Sequence, residues 1–225
     1  MKLICFLLAT LVCNPVLAQR QSFPPIDQAD RDPSLAEFRA TLLERIAARD
    51  TEFLVASACP DIYLSHGTAG GPKEFRLNLT VPPETLDEEF RHEAVDLRES
   101  YWTDLETTLS QPGYFDEQGE FWMPHPWKIT LPASLDPFTA FFVMGENVSL
   151  RQSPSRDGAL TELISHEVVI VPDYLPEHEY QKIWLTDGTT GYMHRDYLWS
   201  MVGYRAALVK SDGGDWQICT FVTGD

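Results

Sequence analysis

The chain has 225 residues, 44% of them hydrophobic, and a formal net charge of −17 from 34 Asp and Glu against 17 Lys and Arg. That length suits one large domain or two small ones, with enough chain for a proper core. A field of this sign repels phosphate backbones and anionic membrane surfaces, which argues against nucleic acid or lipid as partners and leaves neutral and cationic ligands open.

Residues 1–18 read as a secretory leader: Lys2 precedes the apolar run Leu3 to Val12, and Val16-Leu17-Ala18 offers a small-residue exit, so cleavage is expected after Ala18. The apolar run is about ten residues, short of the roughly 20 needed to cross a bilayer, and no later segment is longer, so no membrane insertion is expected. Lipidation at Cys13 is the alternative, but Thr10-Leu11-Val12 lacks the small residue expected immediately before a lipidated cysteine. Export, and the periplasm in particular, follows as the expected location. Cys5 and Cys13 leave with the leader, so Cys59 and Cys219 remain in a compartment that favours disulfides; one bridge between them is expected, with two separate buried thiols as the other outcome.

Residues 19–31 are polar and proline-bearing without periodicity, which predicts a flexible or loosely docked arm. Ser34 and Glu37 have capping-box spacing, and Leu35, Phe38, Leu42 and Ile46 recur at helical steps to about Ala48. Asp50 caps a second helix through Ala58, Pro60 stops it, and Ile62-Tyr63-Leu64 reads as a short strand. His66 to Pro72 is glycine-rich and reads as a loop; a phosphate cradle there lacks the Lys-Ser/Thr ending that such chemistry needs. Thr85 and Glu88 offer another capping box before a stripe from Leu86 through Phe90, Ala94, Leu97, Tyr101 and Leu105 to Leu109, ended by Gln111-Pro112-Gly113. Tyr114-Phe115 and Phe121-Trp122-Met123 read as strands. The following Pro124-His125-Pro126-Trp127 forbids a central strand and reads either as core at a domain junction or as the wall of a pocket.

Beyond Phe138 the texture changes to short β segments at 147–151, 162–163, 168–172, 182–185 and 190–194, as in a small barrel. The run Gly145-Glu146-Asn147-Val148-Ser149-Leu150-Arg151-Gln152-Ser153-Pro154 resembles the opening of bacterial SH3 domains, where a strand carrying V-x-L-R meets a proline turn. Later marks of that family recur in order: Leu160 to Leu163, Val168-Val169-Ile170, Trp184-Leu185, Asp187 to Met193, and Tyr197-Leu198. The stretch Pro172 to Tyr180 is longer than a minimal barrel needs. The resemblance implies a binding module that contacts peptidoglycan, its stem peptides or a protein partner, with Tyr197, Trp184 and Tyr192 as candidate ligand-binding residues. Trp184 and Tyr192 have a second reading as core or hairpin-stacking residues, whereas Tyr197 reads as surface.

Segments 204–210 and 216–222 alternate around Ser211-Asp212-Gly213-Gly214-Asp215, a hairpin that cannot stand alone and must join the sheet of the N-terminal region. The expected fold is therefore α+β: a helix-capped curved sheet domain from residues 32–137 plus 203–225, with an SH3-like barrel inserted at 140–201. Arg49-Asp50, Pro60-Asp61-Ile62 and the 212–218 ending are similar to ketosteroid-isomerase-like cone folds, and the combination with Trp216, Phe221, Gly224 and Asp225 looks like a group of exported proteobacterial SH3 proteins. A binding role without catalysis is the first expectation. The alternative is a small-molecule site or isomerase- or hydrolase-like enzyme in the cavity of the α+β domain, with Asp61 as base and Tyr63 as hydrogen-bond donor. Cys59 and Cys219 lack a thiol-catalyst signature, and the six histidines lack H-E-x-x-H or paired metal spacing, so no cofactor or metal is expected; His178 between Glu177 and Glu179 reads as a solvated acidic cluster or a weak cation holder.

Overall fold

The computed structural model describes residues 20–65 and 70–224; the expected leader and residues 66–69 of the glycine-rich loop lie outside them. The chain folds as α+β, with four α-helices and two sheets among the described residues. Helix α1 (Pro33–Ala47) buries Leu35, Leu42 and Ile46, as its periodicity requires. Its cap is Asp32, which accepts from the Ser34 N–H at 2.9 Å with Pro33 in the first turn, so the helix starts two residues earlier than the Ser34–Glu37 box implied. Helix α2 (Thr51–Ala56) is capped by Asp50, which accepts from the Phe53 N–H at 3.1 Å. Strand β1 (Ala58–Leu64) then runs through Pro60 rather than starting after it.

Helix α3 (Gly71–Thr80) was not foreseen, because its Gly-Pro start reads as turn chemistry. The glycine has a definite reason: Gly71 sits at φ +61°, and a Cβ there would lie 2.8 Å from the Pro60 carbonyl oxygen. Helix α4 (Ala94–Ser110) starts nine residues after Thr85, because short 3₁₀ turns occupy Pro83–Thr85 and Glu88–Glu93. Thr85 donates to the Pro82 carbonyl instead of capping a helix, and Phe90 and Leu97 of the anticipated stripe are exposed. The buried face of α4 is carried by Tyr101, Trp102, Leu105 and Leu109, and the Trp102 indole donates to the Leu79 carbonyl of α3 at 2.9 Å. Strands β2 (Tyr114–Phe115) and β3 (Phe121–Met123) form a small antiparallel pair, followed by the 3₁₀ turn His125–Lys128.

Seven short strands follow: β4 (Ala140–Val143), β5 (Val148–Arg151), β6 (Leu160–Ile164), β7 (Val168–Ile170), β8 (Tyr180–Trp184), β9 (Thr190–His194) and β10 (Leu198–Ser200). They make one antiparallel sheet in the order β10-β4-β7-β8-β9-β5-β6. All seven strands feed one apolar cluster, with Phe141, Val148, Leu150, Ile164, Val169, Ile183 and Met193 buried and Leu198 packed against it. A sheet whose two ends share a core must be strongly coiled, barrel-like in packing, although no ladder pair joins β6 to β10 among the described residues. The 172–180 loop is organised by the buried Gln181, whose amide donates to the Leu175 and His178 carbonyls while its oxygen accepts from the Leu175 N–H. The Met201 N–H donates to the Ala140 carbonyl at 3.0 Å, so this segment leaves and rejoins the chain at one place.

The C-terminal hairpin, β11 (Arg205–Lys210) and β12 (Trp216–Val222), sits in the middle of the other sheet, whose order is β1-β12-β11-β3-β2. Strand β1 runs parallel to β12 at the edge, which explains how Pro60 is tolerated within it. Helices and sheet close over a core in which Trp102, Phe75, Phe121 and Phe221 are fully buried; each such side chain contributes about 1.5–3 kcal/mol. The disulfide between Cys59 and Cys219 ties β1 to β12, with Cα atoms 4.9 Å apart.

Between the two sheets lies a third cluster, in which Ala140, Phe142, Val168 and Met201 meet Phe23, Ile129, Leu131 and Trp199. His125 packs edge-on against Phe142 at 5.2 Å, and the space beside Trp127, Trp199 and Tyr204 is about 10 Å³, so Pro124, His125 and Pro126 are core and not the wall of a pocket, while Trp127 is exposed with Arg205 over its ring. The N-terminal arm is docked, contrary to its composition. Arg20 makes a fork to Glu167 at 2.7 and 2.8 Å and reaches Glu162 at 2.7 Å, Phe23 donates to the His166 carbonyl, and Asp27 pairs with Arg39 at 2.7 Å. Burial holds the His125 imidazole below its ordinary range, outweighing the Phe23 carbonyl beside it. A histidine depressed by folding contributes stability above its unfolded pKa of about 6.5 that is lost as pH falls through the folded value. Thermal stability is therefore expected to decline as pH drops from about 7.5 to 5.5, and His125→Gln is expected to flatten that dependence; equal pH slopes in both proteins would contradict it.

Candidate functional site

Strand alternation decides which side chains of the coiled sheet face solvent. On β5, Val148 and Leu150 point into the core, leaving Ser149 and Arg151 on the opposite face. On β8 and β9, Gln181, Ile183, Gly191 and Met193 are buried, which turns Tyr180, Lys182, Trp184, Thr190, Tyr192 and His194 outward. The hairpin pins the register: the Asp187 carboxylate accepts from the Thr189 N–H at 2.8 Å, Gly188 adopts φ +90°, and counting outward pairs Trp184 with Thr190, Lys182 with Tyr192 and Tyr180 with His194.

One end of this outer face opens into a cleft of about 700 Å³. Its aromatic part is Tyr180, His194 and Tyr197: the Tyr180 and His194 rings meet edge-on at 5.1 Å, and His194 meets Tyr197 edge-on at 6.4 Å. Tyr197 is 46% exposed, so an aromatic face is available to a ligand. The His194 Nδ1 lies 3.4 Å from the Asp196 backbone nitrogen and 3.4 Å from its carboxylate. Glu146, Glu179 and Asp196 supply negative charge, while Arg151 and Arg156 supply positive charge.

Of the three residues singled out from sequence, only Tyr197 lines this cleft. Trp184 is 43% exposed and faces Thr190 at the far end of β8, and the half-buried Tyr192 lies beside Arg151 in the ladder without entering the lining. Neither belongs to the core. Tyr180 and His194 went unnoticed, although the turn at Asp187-Gly188 contained the signal, because counting back from it places the two rings opposite each other.

The cone-fold alternative loses its residues. Asp61 is exposed and Tyr63 is 68% exposed on the edge strand, because the register shift in the β1–β12 ladder between Ala58 and Tyr63 leaves Ile62 as the inward side chain. Neither side chain enters an apolar cavity, so neither has the environment of a general base and its partner. Both cysteines are committed to the disulfide, and among the described residues no group of three His, Cys, Asp or Glu could hold a metal. Among the described residues the His178 side chain has one ion-pair partner, Glu177 at 3.8 Å. Among the described residues no helix is long and apolar enough to cross a membrane. No protein-family model, curated protein or solved structure matches the chain.

Proposed function

We propose that this is an exported, periplasmic binding or accessory protein whose SH3-like segment, 140–201, takes a cell-wall peptide in the cleft between β5 and the end of the β8–β9 hairpin. The observation that carries this reading is the open cleft of about 700 Å³ lined by Tyr180, His194 and Tyr197. A volume of this size suits a short peptide or a compact small molecule, and exposed aromatic rings supply contact area at low entropic cost. The resemblance of the 145–154 run and the later marks to bacterial SH3 domains supports the ligand class, and the leader and the disulfide support the compartment. The net charge of −17 favours a ligand that carries an amine, such as a stem peptide with a diamino acid, over an anionic polymer.

The test is co-sedimentation of the mature protein with purified peptidoglycan at two salt concentrations. Wild-type protein is expected in the pellet, and Tyr197→Ala is expected to bind about tenfold or more weakly, as loss of an aromatic anchor does. Wild-type protein that stays in the supernatant at both salt concentrations would remove the wall-binding reading.

A further inference from the structure

The two signs of charge in the cleft are separated along β5. Glu146 precedes the strand and Arg151 ends it; a fully extended run at about 3.3 Å per residue would put them about 16 Å apart, and the left-handed backbone at Asn147, φ +55°, shortens that. Arg151 faces Tyr192 in the ladder, and the other end is placed by the Met144 N–H, which donates to the Tyr197 carbonyl at 2.8 Å. The close approach of Gly145 agrees, since a Cβ there would lie 3.6 Å from the Tyr197 ring. Glu179, adjacent to Tyr180, belongs to the same acidic end, where its carbonyl accepts from the Arg195 N–H.

At the other end Arg151 uses one N–H on the Gly158 carbonyl at 2.8 Å, which ties down the turn that follows β5 and leaves the rest of its fork available. Arg156 stands on that turn, exposed and without a hydrogen-bond or ion-pair partner among the described residues. This is unusual in a chain with twice as many acids as bases, where Arg20, Arg39, Arg45, Arg49, Arg76 and Arg98 are all paired with carboxylates.

Resting on the binding role above, we infer that the cleft reads its ligand as a dipole: a free carboxylate at the end of a short extended peptide sits at Arg151 and Arg156, and an amine further back lies against Glu146 and Asp196, with the chain between them crossing Tyr180, His194 and Tyr197. A span below about 16 Å fits about four extended residues. Paired guanidinium groups suit a carboxylate because the fork donates two parallel hydrogen bonds. The ligand is thus the open end of a peptide, not the middle of a longer or cross-linked chain.

The test compares two synthetic stem tetrapeptides that both contain a diamino acid, one ending in a free carboxylate and the other in a carboxamide, titrated into the full mature protein by calorimetry. The acid is expected to bind about tenfold or more tightly than the amide. In Arg156→Glu that ratio is expected to fall to about two or less; Arg156 has no hydrogen-bond or ion-pair partner to lose among the described residues, and circular dichroism verifies that this variant keeps its fold. Equal affinity for acid and amide in the wild type, or a full preference surviving in Arg156→Glu, would overturn the inference while leaving peptidoglycan binding intact. Failure of both peptides to bind would remove the inference and the binding role together.

Discussion

A chain ending at Met201 is expected to lose the helix-rich half of the molecule as a folded unit, not merely a tail. The missing hairpin comprises β11 and β12, which lie between β1 and β3 in the five-stranded sheet, so its removal strips the partners from both flanks. Ala206, Leu208, Trp216, Ile218 and Phe221 leave the core with it, and so does Cys219. Burial of large apolar side chains at about 1.5–3 kcal/mol each makes that loss comparable to the whole stability of a domain, about 5–15 kcal/mol. Far-ultraviolet circular dichroism should show most of the α-helix signal gone, and the thermal transition of the helical part should be absent. A truncated chain that keeps its helix content and its transition would place the hairpin outside that core.

Replacing Cys59 and Cys219 together by serine is expected to lower stability by about 3–5 kcal/mol. The bridge joins residues 160 apart, and in the chain-entropy model a closed loop of this size restricts the unfolded chain strongly. Its position adds a local reason: β1 is an edge strand paired in parallel with β12, so no short turn holds it, and the disulfide is the covalent tie between them. Denaturant unfolding of the oxidised and double-serine proteins measures the effect as a shift in midpoint. Coincident midpoints would show that the bridge contributes nothing to folding.

What the sequence revealed and what it hid follow the range of the interactions involved. Helix α1 was legible because Leu35, Leu42 and Ile46 repeat along one face, and the Cys59–Cys219 bridge because the expected loss of residues 1–18 would leave two cysteines. The hairpin was legible because Asp-Gly turns flank alternating strands, and its need for partners pointed to the N-terminal sheet. Strand β4 went unseen because Ala140-Phe141-Phe142-Val143 has no alternation: Phe141 and Val143 face the coiled sheet's own core while Ala140 and Phe142 face the junction. The docked arm hid for a different reason, since its anchors are Arg20 on Glu167 and Asp27 on Arg39, pairs that no local periodicity reports.

The candidate site was legible in part. Exposure of Tyr197 followed from its place after β9, but the cleft needs β5, the turn carrying Arg156 and the β8–β9 hairpin in one place, and only the fold brings them together. Trp184 and Tyr192 were singled out as aromatic residues within family-like marks; the strand register carries Trp184 to the far end of the outer face and sets Tyr192 beside Arg151, outside the cleft lining. Asp61 and Tyr63 failed because the ladder irregularity in β1 turns Ile62 inward instead.

The binding role of the cleft is tested most directly by titrating ¹⁵N-labelled mature protein with a soluble stem peptide and following amide chemical shifts. The expected result is saturable shifts concentrated at residues 146–156, at Glu179 and Tyr180, and at 194–197, with Trp184 and the helices of the α+β domain unmoved. Shifts centred on the five-stranded sheet and its helices, or no saturable shift at millimolar peptide, would contradict a peptide site on this face.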